Sequence, residues 1–155
     1  MGCDIHCYIE YKKTTSPRWW DFGKRINPGR NYAVFEKLAG VRGSDEPEVH
    51  PRGFPDDCGS ESSDDYWLYV SETEEPGNCT RERAESYAAS GSRWRNEEKK
   101  WVSHPDWHSH SWLKPDEFER AIAGFDEPEY HAILAAMRSF EAQGYESRLV
   151  FWFDN

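Results

Sequence analysis

The chain has 155 residues, with 29 Asp and Glu against 19 Lys and Arg, and a net charge of −10. That length suits one domain, 1–155, able to remove roughly two-thirds of its unfolded surface from water. The charge opposes a long nucleic acid, whose binding depends on cations that displace counterions from phosphates, but leaves room for a small nucleotide or a divalent cation in a local pocket.

No run of 18 apolar residues occurs, and no basic segment is followed by an apolar leader. We therefore expect a soluble chain with no membrane partner and a cytoplasmic location. Cys3, Cys7, Cys58 and Cys79 include no C-x-x-C pair and are expected as free thiols in a reducing compartment. With 8 Trp, 8 Tyr and 8 Phe, the core should be rich in aromatic rings.

Residues 3–11 alternate, placing Cys3, Ile5, Cys7 and Ile9 on one side and Asp4, His6, Tyr8 and Glu10 on the other. This predicts a half-buried strand with a polar face. Turn residues at 14–17 lead to a return strand over 18–22. Asn31 is placed to cap a helix over 32–39 that ends at Gly40. Residues 41–63 have no period and predict a long irregular loop, and the acidic, Ser-rich stretch around 59–65 reads as a solvated surface loop.

A short aromatic strand is expected over 65–70, then a helix over 80–90 capped by Thr80, then a strand or hairpin arm over 93–102. Pro115 and Pro128 each suit the first turn of a helix. In the second helix Tyr130, Ile133, Leu134, Met137 and Phe140 recur at three and four, and Gly144 follows it. Residues 149–153 are apolar on both faces, as in a covered central strand. The expected fold class is α+β: a mixed or antiparallel sheet with helices packed mainly on one face.

Two clusters have the side chains for metal or acid–base chemistry. Asp4 and His6 are two apart on a strand and project from one face. His104, Asp106, His108 and His110 fall within seven residues, and an extended backbone would align Asp106, His108 and His110. Imidazole with carboxylate suits Zn, Mn or Fe. The alternative is that the first cluster is the solvent face of an edge strand and the second a loop with a capping histidine. Arg30 and Asn31 open the first helix, where N–H groups and a guanidinium attract anions, and Arg42 and Arg52 flank the long loop. No G-x-S-x-G, phosphate loop or dinucleotide fingerprint is present.

Met1-Gly2-Cys3-Asp4-Ile5-His6, Arg30-Asn31-Tyr32, Leu38-Ala39-Gly40-Val41-Arg42, Pro51-Arg52-Gly53-Phe54-Pro55, His108-Ser109-His110-Ser111-Trp112-Leu113 and Phe151-Trp152-Phe153-Asp154 together resemble a family of small uncharacterised phage and bacterial proteins. The resemblance spans nearly the whole chain. It implies a phage or prophage setting and one compact fold, and it includes Asp4, His6, Arg30, Arg42, Arg52, Asp57, His108 and His110.

Two functions fit these residues. In one, a metal-dependent phosphoesterase acts on a small nucleotide or other phosphorylated molecule, with Asp4, His6 and His108 catalytic. Asp4, His6, Asp106, His108 and His110 would then supply the metal ligands, and Arg30, Asn31, Arg42 and Arg52 would hold the phosphate. In the other, a non-catalytic phage-encoded protein sequesters a nucleotide signal or inhibits a host defence protein.

Overall fold

In the computed structural model, which describes residues 2–155, strand β1 (Asp4–Lys13) runs antiparallel to β7 (Tyr145–Asp154). The pairing extends from Asp4 opposite Asp154 to Lys13 opposite Tyr145. Short β2 (Trp20–Asp21) flanks β1 and β6 (His108–Leu113) flanks β7, giving the antiparallel order β2-β1-β7-β6.

Alternation sends Ile5, Cys7 and Ile9 to the same face as Leu149, Phe151 and Phe153. That face is covered by three helices, α1 (Tyr32–Ala39), α4 (Pro115–Ile122) and α5 (Pro128–Ala142), through Phe35, Leu38, Phe118, Ile122, Ile133 and Met137. Each such side chain contributes about 1.5–3 kcal/mol on full burial. Asn31 accepts the Val34 N–H at 3.1 Å, and Gly40 closes α1 with φ 71°, a left-handed backbone that glycine adopts without strain.

The opposite face of the main sheet carries a second layer. Tyr8, Val150 and Trp152 pack against Phe54, Tyr66 and Trp67. Trp67 begins β3 (Trp67–Ser71), which pairs in parallel with β4 (Asn78–Thr80) and antiparallel with β5 (Trp101–Ser103). Helix α3 (Arg81–Ala89) lies on this small sheet through Ala84, beside Cys79 and Val102. The chain is thus one compact α+β domain, with three of its five helices on one face of the main sheet. No described helix is long and apolar enough to cross a membrane.

The second layer changes several expectations. Beyond the partly exposed Asp4, the polar side of β1 faces protein and not solvent: His6 is 5% exposed and Glu10 0%. The stretch expected to be a solvated loop contains α2 (Ser60–Tyr66), with Ser62, Ser63 and Tyr66 buried. Its first N–H groups are satisfied from distant strands. Asp21 accepts from Glu61 N at 2.9 Å and Ser62 N at 3.3 Å, while Glu10 accepts from Gly59 N at 2.5 Å and Ser62 Oγ at 3.0 Å. The return strand is confined to Trp20–Asp21, and of 93–102 only Trp101–Val102 belong to a strand, β5, with Trp94 making a single bridge to Val102 and the residues between in bends, turns and irregular backbone.

Candidate functional site

His6 sits between the layers, its ring stacked on Trp152 at 5.4 Å and tilted against Trp107 at 5.3 Å. Arg25 Nη1 donates to Nδ1 at 3.0 Å, and a guanidinium has no acceptor, so the ring proton belongs on Nε2. Nε2 donates it to Asp154 Oδ2 at 2.5 Å. Both ring nitrogens are therefore engaged, and His6 has no lone pair to offer a metal. Asp4 is held in a two-pronged pair by Arg30, at 2.6 and 2.9 Å, and that hydrogen bonding keeps its carboxyl below the usual range.

The expected alignment of Asp106, His108 and His110 is broken by the backbone. Ser109 has φ 55° and the ladder slips between His108 and Ser111. His108 consequently lies by Phe153, whose side chain faces the helices, with Nδ1 3.0 Å from Ser109 Oγ. His110 meets Tyr66 edge-on, on the other side of the sheet. Asp106 stands exposed in a turn, its N–H donated to His104 Nδ1 at 3.2 Å. Among the described residues no three His, Cys, Asp or Glu side chains are grouped to hold a metal ion. The donor set expected from the sequence does not fit a metal centre.

The four residues expected to hold phosphate are each engaged within the protein, and Arg52 lies apart from Arg30, Asn31 and Arg42. Arg30 pairs with Asp4, and Asn31 caps α1 and bonds Glu127. Arg42 donates to Asn155 Oδ1 at 3.1 Å. Arg52 forms a two-pronged pair with Glu117 and lies over Trp112.

A different set converges. A cleft of about 360 Å³ opens where the small sheet and the end of α3 meet the turn before β6, and Arg93, His104, His110, Tyr66, Trp107 and Ser92 are in its wall. The rings form a continuous aromatic surface: His104 stacks on Trp107 at 5.1 Å and 25°, and Trp107 lies 5.8 Å from Tyr66. Arg93 rides over Trp67 at 5.1 Å and pairs at 3.2 Å with Asp56, whose carboxylate is almost fully in water. Such an exposed pair is worth about 0–1 kcal/mol and is easily exchanged for another anion.

Burial pushes His110 down to about 4, so it is neutral at neutral pH, and its Nε2 is buried with no hydrogen-bond partner among the described residues. The Ser92 hydroxyl is in the same condition. Buried polar atoms left unpaired cost about 1–3 kcal/mol each, and two of the five such side-chain atoms among the described residues lie in this wall.

The cleft's lining contains no Asp or Glu. A larger cavity of about 670 Å³, beside Arg148 and Trp19, mixes five carboxylates (Asp57, Asp116, Glu117, Glu141 and Glu146) with four cations (Lys12, Lys114, Arg120 and Arg148) in its wall. Of the cleft residues, His104 and His110 stand out in the sequence through histidine density. Arg93, Ser92 and Tyr66 carry no local signal, because they reach the cleft only when the small sheet docks on the main one.

No family model matches the chain, and no curated protein and no solved structure is significantly similar to it.

Proposed function

We propose that the protein binds a small phosphorylated ligand, of mononucleotide size, in the cleft bounded by Arg93, His104, Trp107 and His110, and does so without a metal. The observation that carries this reading is the cleft's chemistry: one guanidinium, two imidazoles and an aromatic wall, with carboxylates only on the exposed neighbours Asp56 and Asp106, in a chain of net charge −10. A base would stack along Trp107 and His104, and its polar edge would meet His110 and Ser92 once their polar atoms, buried in the free protein, turn toward the cleft. The phosphate would displace Asp56 from Arg93. About 360 Å³ lies at the lower end of small-molecule sites, which favours a mononucleotide over a dinucleotide. In the phage setting implied by the sequence resemblance, such a protein would sequester a host nucleotide signal.

Calorimetric titration with the four nucleoside monophosphates and with inorganic phosphate tests this. Arg93→Ala and His110→Ala should each weaken the best ligand by at least about tenfold, equivalent to about 1.4 kcal/mol. Arg52→Ala and His108→Ala should not. The reverse pattern, or no binding by the wild type, overturns the cleft assignment. Ligand recovered intact from the denatured complex supports a binder, whereas cleaved ligand supports the hydrolase that the sequence also suggests.

A further inference from the structure

The turn between β1 and β2 inverts the charge of the molecule. Residues 11–25 hold Lys12, Lys13, Arg18, Lys24 and Arg25 against Asp21 alone, a net of +4 within a chain of −10. Asp21 is occupied by the N–H groups that begin α2, Lys12 pairs with Glu146 at 3.4 Å, and Arg25 serves His6. Lys13, Arg18 and Lys24 have no carboxylate partner among the described residues.

The same hairpin exposes two large apolar side chains, Trp20 at 47% and Phe22 at 53%. Being two apart, they share a face. They are held in place: Phe22 sits edge-on to Phe140 at 5.2 Å, and the Arg18 guanidinium lies over the Trp20 ring at 3.9 Å. Beside Trp20 a groove of about 430 Å³ runs between Tyr11, Lys13 and Tyr145. Rigid exposed Trp with Arg, a groove for an anchoring side chain, and the unpaired Lys13 in its wall are the make-up of a protein interface hot spot, and Lys24 adds charge two residues beyond Phe22.

We propose that this hairpin is a docking surface for an acidic segment of a partner protein, in which carboxylates flank an apolar anchor. Charge complementarity selects that occupant. A polyanionic nucleic acid carries a charge every few ångströms and would be repelled by the rest of the surface, whereas a segment with a few carboxylates engages only the local patch. A second copy related by a two-fold axis would set lysines against lysines.

The experiment is selection of a ribosome-displayed random peptide library on the whole protein, followed by fluorescence anisotropy with the enriched peptides. Wild type, a Trp20→Ala/Phe22→Ala variant and a Lys13→Glu/Lys24→Glu variant are compared, with circular dichroism and melting temperature establishing that each is folded. The expected result is enrichment of acidic peptides with an apolar residue, whose affinity falls at least about tenfold in either variant. No enrichment, enrichment of neutral or basic peptides, or affinity unchanged in the folded variants overturns the proposal. Labelled oligothymidylate that binds through Trp20 also overturns it and reassigns the hairpin to single-stranded nucleic acid. The Arg93→Ala variant should bind the selected peptides normally, which separates this surface from the cleft.

Discussion

Glu10 and Arg148 stand opposite each other on β1 and β7, and the buried guanidinium Nε reaches the buried carboxylate at 2.8 Å. Burial raises the Glu10 carboxyl, and Arg148 together with the Gly59 N–H pulls it back. Arg148→Met leaves a buried carboxylate without its counter-ion, and should cost about 3–5 kcal/mol at neutral pH. With the folded value raised further, the destabilisation is greatest once pH exceeds that value and shrinks as acid protonates Glu10. Urea unfolding at about pH 5 and about pH 8 should therefore show the smaller deficit in acid. Glu10→Gln combined with Arg148→Met should recover much of the loss, and a pH-independent deficit would count against the account.

The helix-covered face of the main sheet was legible in the sequence because its signals are local: alternation in β1, three-and-four spacing in α5, Asn31 and Gly40 around α1. The fold class and the placing of three helices on one face followed from them. Helix α2 was hidden because its caps, Glu10 and Asp21, lie some forty to fifty residues upstream, and its own residues read as a polar loop. The candidate site failed for a related reason. His6 looked available beside Asp4, yet Asp154 and Arg25 occupy it, and a single left-handed residue, Ser109, separates His108 from His110. Partners distant in sequence decide both cases, and neither alternation nor composition encodes them.

His110 gives a pH signature with a definite sign. Its folded value near 4 lies below the ordinary 6.5, so the unfolded chain binds the proton more tightly between these values. Stability from this group is present above about pH 6.5 and is lost as pH falls toward about 4, by roughly 3 kcal/mol in all and roughly 2–3 kcal/mol of that by about pH 4.5. His110→Gln removes the titrating ring. The fall in urea-unfolding stability from about pH 7 to about pH 4.5 should be smaller in that variant by roughly that amount. Equal falls in both proteins would mean that the ring protonates in place. If the cleft binds an anion near His110, nuclear magnetic resonance should place the titration of its ring protons higher in the complex than in the free protein.

Ser109 holds φ 55°, a conformation costly for a β-branched side chain and easy for glycine. Ser109→Val should lose about 1–2 kcal/mol through this strain. Ser109→Gly should stay within about 1 kcal/mol of wild type, because relief of strain offsets the lost contact to His108 Nδ1 and the added freedom of the unfolded chain. The second readout is ligand affinity: Val at 109 tends to straighten β6 and turn His110 out of the cleft, so it should weaken binding more than Gly does. Equal stabilities for the two variants would exclude the left-handed backbone as the cause of the slipped register.

Gly59 is required by proximity and not by backbone freedom, since its φ of −66° is open to any residue. A Cβ there would run into the Asp21 carboxylate and stand 2.9 Å from the Asp21 backbone nitrogen, closer than real side chains come. The side chain can rotate away, but the strand cannot. Gly59→Ala should therefore push the start of α2 off β2, weakening the Glu10 and Asp21 hydrogen bonds that fix it, at a cost of about 1–3 kcal/mol. Adding Asp21→Ala distinguishes the two clashes. If the backbone contact dominates, the double variant remains at least as unstable as Gly59→Ala, because Asp21 has also stopped accepting from Glu61 and Ser62. Recovery of stability in the double variant would instead locate the whole conflict in the Asp21 side chain.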